Sequence, residues 1–116
     1  MEKLNAEVDL LAESWRLNQF LKKIRSTDEK FNKKISNNVS RFEKHFKSAA
    51  EVLGLEVVDF TGTEFESGLP ITPINLEDFA ANENLFVASM IEPTIKVAGE
   101  ATILRKGAAI LGRRGR

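Results

Sequence analysis

Apolar residues recur at spacings of three and four along the first 53 positions, the period of a helix with one buried stripe. Leu4, Val8, Leu11 and Trp15 form the first stretch of that stripe. The next position in phase is Asn18, which reads as an ordinary polar residue at the margin of the seam in preference to a buried one that fixes register. The apolar positions move instead to Leu17, Leu21 and Ile24, so the stripe shifts face near Leu17. It resumes at Phe31 and continues through Ile35, Val39, Phe42, Phe46, Ala49 and Leu53. Six consecutive polar residues separate Ile24 from Phe31, and Ser26 with Glu29 matches a capping box. The segment is therefore one helix with a discontinuity or two helices meeting near Ser26. All seven glycines and all three prolines lie at or beyond Gly54. An interior glycine costs about 1 kcal/mol and a proline about 3 kcal/mol in a helix. With no such breaker at the junction, the pattern favours a near-continuous helix of roughly 75 Å.

The pattern changes at Gly54, which reads as a helix-closing residue with positive φ. Leu55 to Phe60 is a β-prone run ending in the Thr61-Gly62-Thr63 turn. Pro70 and Pro73 each remove a backbone donor, so their segment is extended but is not a central strand throughout. A short helical turn is expected around Leu76 to Phe79. Further strands are predicted at Leu85 to Ile91, Thr94 to Val97, Ala101 to Leu104 and Ala108 to Leu111, with a turn at Ala98-Gly99. The fold class expected is α+β: a long N-terminal helix, coiled-coil-like and dimerising, followed by a small all-β sandwich or barrel. Three regions result: a helical stalk over 1–53, a β domain over 54–112 and a basic tail over 113–116.

A module of this size cannot cover a long rod, so the seam calls for a second surface, the simplest being the seam of another copy. The dimerisation residues expected are Leu4, Val8, Leu11, Trp15, Leu21, Ile24, Phe31, Ile35, Val39 and Phe42. An antiparallel hairpin around residues 25 to 30 is the alternative, since it satisfies the seam within one chain.

The formal net charge is zero, yet the charges are segregated. Arg16 to Lys47 holds ten Lys/Arg against three acids, whereas Glu51 to Glu92 holds nine acids and no Lys or Arg. The last stretch, from Lys96, returns six basic residues against Glu100. Such blocks suit attraction within or between chains, or a basic helix facing an anionic partner, and the plain reading is a solvated basic helix face. There is no cysteine, which removes thiol chemistry and cysteine-ligated metal. The lone histidine, His45, has no second His or Cys to form a metal site. No glycine-rich phosphate loop is present, and no Ser or Thr has a histidine to serve as its base. Neither an enzyme nor a cofactor is expected, and a soluble cytoplasmic protein without a membrane partner is.

One family resemblance is carried by short motifs. The helix ends in a Leu-Gly step followed by Leu55-Glu56-Val57-Val58-Asp59-Phe60-Thr61-Gly62. Near the other end stand Ile91-Glu92-Pro93-Thr94-Ile95, then Gly99, then Ile103-Leu104-Arg105-Lys106-Gly107 and Ala108-Ala109-Ile110-Leu111. Over residues 40 to 112 this resembles the GrpE family, nucleotide-exchange factors of DnaK-type chaperones, in a divergent short form. The resemblance implies a co-chaperone that acts by protein binding on a DnaK-type or related actin-fold ATPase. It places partner contacts at Asp59, Phe60, Thr61, Gly62, Pro93 and Arg105. Two readings from other classes stand beside it: an architectural helix-docking subunit, and a nucleic-acid-binding module using the basic helix and the Arg113-Arg114-Gly115-Arg116 tail. Against the latter, Phe31, Phe42 and Phe46 lie in the seam and leave no stacking platform.

Overall fold

A computed structural model describes residues 2–114. Among them are two helices, α1 (Glu2–Lys23) and α2 (Glu29–Leu53). The strands are β1 (Leu55–Val58), β2 (Ile71–Pro73), β3 (Leu85–Glu92), β4 (Thr94–Val97), β5 (Ile103–Arg105) and β6 (Gly107–Arg113). A 3-10 turn occupies Leu76–Asp78. The class is α+β, and no helix among the described residues is long and apolar enough to cross a membrane.

The expected near-continuous helix is corrected: the chain reverses at residues 24–28 and the helices pack side by side, antiparallel. Side chains make the reversal where glycine or proline was the signal sought. Arg25 Nη1 donates to the Lys22 and Ile24 carbonyls at 2.9 and 2.7 Å, satisfying acceptors left open at the end of α1. Asn32 clamps the turn, accepting from Ser26 N at 2.9 Å and donating to Ser26 O at 2.8 Å. The N-cap of α2 is Asp28, whose carboxylate accepts from Lys30 N and Phe31 N. Ser26 is not the cap; its Oγ accepts from Asp28 N at 3.1 Å. The other end of α2 closes on Gly54 in the left-handed conformation, φ 71°.

The strands form two sheets. In one, β1, β4 and β5 pair antiparallel in the order β1-β4-β5. In the other, ordered β2-β6-β3, β6 is central, parallel to β2 and antiparallel to β3. Strand β2, bounded by prolines, lies at an edge, where a missing donor breaks no ladder. The first strand stops at Val58 rather than Phe60, and the last runs to Arg113. Arg113 therefore belongs to the sheet, while Gly115 and Arg116 of the expected tail lie outside the described residues.

Two apolar cores result. Val8, Leu11 and Ala12 of α1 pack on Leu55 and Ile95 of the first sheet, joined by Leu4, Phe46, Val57 and Leu104. Ile71, Leu85, Val87, Met90, Ala109 and Leu111 make the second core, flanked by Trp15, Phe60, Phe65, Leu69 and Phe79. The sheets are tied at Thr94, which is fully buried. Its Oγ1 donates to Pro70 O at 2.8 Å and accepts from Gly107 N at 3.1 Å. Glycine is required at 107 by space: a Cβ there would lie 2.6 Å from Met90 Cε, 2.8 Å from Glu92 O and 2.8 Å from Thr94 Oγ1.

The shift of stripe at Leu17 now has a cause. Leu4, Val8, Leu11 and Trp15 face the β module, whereas beyond Leu17 the neighbour of α1 is α2. The premise that the rod needs a second chain along its whole length is corrected, because Val8, Leu11 and Val39 are buried within one chain. Asn18 is no marginal residue either. It is only 6% exposed, and its Nδ2 donates to Glu43 Oε2 at 2.8 Å across the hairpin. Lys22 Nζ reaches the same carboxylate oxygen at 3.2 Å, while Asn18 Oδ1 is buried without a partner.

Candidate partner-binding surfaces

The first surface is one end of the β1-β4-β5 sheet. Register sets Val58 opposite Thr94 and Ile95 opposite Arg105, which brings the residues after β1, before β4 and at the end of β5 to the same end. The predicted positions Asp59, Pro93 and Arg105 thus converge, but they differ in what they expose. Asp59 Oδ1 accepts from Thr61 N at 2.9 Å and Thr61 Oγ1 at 2.6 Å, forming an exposed Asx turn. Gly62 adopts φ 89° and donates its N–H to Val87 O at 2.8 Å, so the corner is pinned to β3. Phe60 is half-buried against the second core and anchors the turn from below. Pro93 is fully buried and has no side-chain surface to offer a partner. Arg105 is engaged at home: Nη1 donates to Asp9 Oδ1 at 2.7 Å and Nη2 to Glu92 Oε1 at 3.1 Å. It straps α1 to β3 and β5, and neither acid was singled out from the sequence.

The second surface is the outer side of the hairpin. Here Leu10, Leu17 and Phe20 are 68, 60 and 63% exposed. Beside them runs an apolar groove lined by Ser14, Leu17, Leu21, Asn38, Val39 and Phe42. Phe31 is exposed nearer the tip, and Ile24 and Ile35 are half-buried. Of the expected dimerisation residues, Leu21, Val39 and Phe42 line this groove, while Leu4, Val8, Leu11 and Trp15 face the β module. Leu10 and Phe20 escaped the stripe count, although Leu10, Leu17 and Ile24 repeat at intervals of seven, a signal of a second seam.

The third surface is the back of α2. Lys30, Lys33, Lys34, Arg41, Lys44 and Lys47 are exposed, and none makes an ion pair among the described residues. Lys30 with Lys33 and with Lys34, Arg41 with Lys44, and Lys44 with Lys47 stand three or four apart. Like charges at such spacings each cost a few tenths of a kcal/mol, together about 1–2 kcal/mol. Lys30, Lys33 and Lys34 also crowd the N-terminal end, where the helix dipole disfavours cations, and the last turn carries no basic residue. Glu29 with Lys33, Glu43 with Lys47 and Lys47 with Glu51 stand four apart with opposite charge and offset part of this cost, although none closes to an ion pair.

Arg113 and Arg114, by contrast, are occupied. Arg113 Nε donates to Glu83 Oε1 at 2.6 Å and its guanidinium lies 5.0 Å from the centre of Phe79. Arg114 stands 4.8 Å over Phe86. The Arg113 hydrogen bond, with a second from Ala80 N, holds the Glu83 carboxyl below its ordinary value of 4.5. His45 is exposed on α2, and no group of three or more His, Cys, Asp or Glu able to hold a metal occurs among the described residues.

Comparison of the chain with protein-family models, with curated proteins and with solved structures finds no match.

Proposed function

We propose that this chain works by binding, as a GrpE-like cytoplasmic nucleotide-exchange factor for a DnaK-type or related actin-fold ATPase. The observation that carries the reading is the exposed corner at Asp59 to Gly62, held rigid by its Asx turn and by the Gly62 bond to β3. It coincides with the motif on which the family resemblance rests. A corner of this kind can wedge against a nucleotide-binding domain and select its open state, lowering nucleotide affinity without touching the chemistry. Arg105 acts in this reading as a strut behind the contact surface. The base of the molecule is the hairpin, whose outer apolar side pairs with the same side of a second copy, giving a homodimer with coiled-coil-like packing. Support for that pairing comes from Leu10, Leu17 and Phe20, which are large, apolar and exposed on one helix.

The test is release of a fluorescent nucleotide from the cognate ATPase, followed by stopped flow. Release is expected to accelerate with added protein, and Asp59→Ala together with Thr61→Ala is expected to remove most of the acceleration. A release rate indifferent to the protein, with the cognate ATPase present, would sink the reading.

A further inference from the structure

We infer that the back of α2 is a docking surface for the phosphodiester backbone of a nucleic-acid duplex. The inference rests on α2 alone, so it stands or falls separately from the exchange-factor reading. From Lys30 to Lys47 the ridge extends roughly 25 Å at 1.5 Å per residue. It presents six cations, with Asn37, Ser40 and Ser48 exposed between them as hydrogen-bonding groups. The acids available nearby are not drawn in: Glu43 turns to Asn18 and Lys22 across the hairpin, and Glu29 and Glu51 pair with no lysine among the described residues. A row of cations that closes no ion pair among the described residues, with like charges three or four apart, suits a polyanion.

The surface chemistry selects the polyanion. A protein partner would be gripped by aromatic or aliphatic anchors, and this ridge carries none. A membrane surface needs an apolar face running beside the cations, but Val39 and Ala50 are buried and the exposed large apolar residues of α2, Phe31, Val52 and Leu53, stand only at its two ends. Single strands need aromatic platforms, which are absent from the ridge. What is left is an exposed helix of cations and small polar side chains. Its diameter, about 10–12 Å, suits the major groove of a duplex, and its charges suit the phosphates on either side.

The probe is a fluorescein-labelled duplex DNA of mixed sequence, titrated with the full chain and read by anisotropy across a salt series. Binding is expected to weaken about a thousandfold from about 50 to about 200 mM salt if most of the six cations engage. The quadruple substitution Lys33→Gln, Lys34→Gln, Arg41→Gln and Lys44→Gln is expected to flatten the log–log salt slope by roughly 3 to 4. Replacing Lys33, Lys34 and Lys44 by Arg should preserve the slope. Circular dichroism reports whether each variant keeps its helices, which removing repulsion favours. No binding at about 50 mM salt, or a slope unmoved by the quadruple substitution in a folded variant, overturns the inference. So does competition by poly-glutamate, or capture by vesicles containing phosphatidylserine, at the strength of the duplex. Those results would assign the ridge to an acidic protein or a lipid surface.

Discussion

The junction between the two sheets and the outer side of the hairpin are built on opposite terms. At the junction, Thr94 is buried, both its hydrogen bonds are made, and Gly107 leaves no room for even a methyl group. On the hairpin, Leu10, Leu17 and Phe20 stand in water, and Asn18 Oδ1 is buried with no partner. A closed junction fixes the relation of the sheets, and with it the Asp59 corner. An open seam leaves surface for another molecule. The packed junction and the exposed seam thus lie in different parts of the same chain.

The largest effect expected from breaking that contrast is Gly107→Ala. Met90 can swing away, but Glu92 O is backbone, so the substitution should cost about 3 kcal/mol in urea unfolding. A loss below about 1 kcal/mol would mean that the junction has slack. Thr94→Val keeps the shape and removes both side-chain hydrogen bonds, but Gly107 N keeps its 3.2 Å bond to Pro70 O, so the change should cost about 1 kcal/mol in the same measurement. On the hairpin the sign reverses. Asn18→Leu removes an unpaired buried carbonyl, leaves Glu43 with Lys22, and should raise stability by about 1 kcal/mol. Destabilisation instead would show that the Asn18–Glu43 bond sets the helix register. Leu10→Gln with Leu17→Gln should move stability by no more than about 0.5 kcal/mol, yet shift sedimentation from dimer to monomer. An unchanged sedimentation coefficient would place self-association elsewhere or nowhere. Leu11 is unsuited to that experiment, since it is buried against the β module.

The smallest effect concerns acid. Because Arg113 and Ala80 N favour the ionised Glu83, its folded pKa lies below the unfolded value. Its stabilising contribution is full above the ordinary Glu range and is lost as pH falls through the depressed folded value. Glu83→Gln should flatten this part of the pH dependence of unfolding, detectable only below the ordinary value of 4.5. Identical acid profiles for the two proteins would remove the Arg113 pair from the account.

Legibility followed the range of the interactions. Gly54 was readable because positive φ is a local demand, Gly62 was readable as a turn residue, and the segment between Pro70 and Pro73 was readable as extended but not central because proline declares its missing donor. The hairpin turn was legible only as the alternative to a continuous helix, because Arg25, Ser26, Asp28 and Asn32 build it from side-chain hydrogen bonds, a combination no single residue type announces. Asn18 was misjudged because its burial depends on α2 folding back over it. The Asp59 corner was visible as a motif, but the occupation of Arg105 by Asp9, 96 residues away in sequence, was not.

What the chain's residues determined alone was the division at Gly54, the helical and strand periods on either side, and the segregation of charge, since each is a property of neighbours along the backbone. Only the tertiary structure decided which apolar face of α1 met the sheet and which was left to water. The two faces are similar in sequence, and the choice between them belongs to long-range packing. By the same packing α2 directs its apolar face inward, leaving its cations on the side that no other element covers.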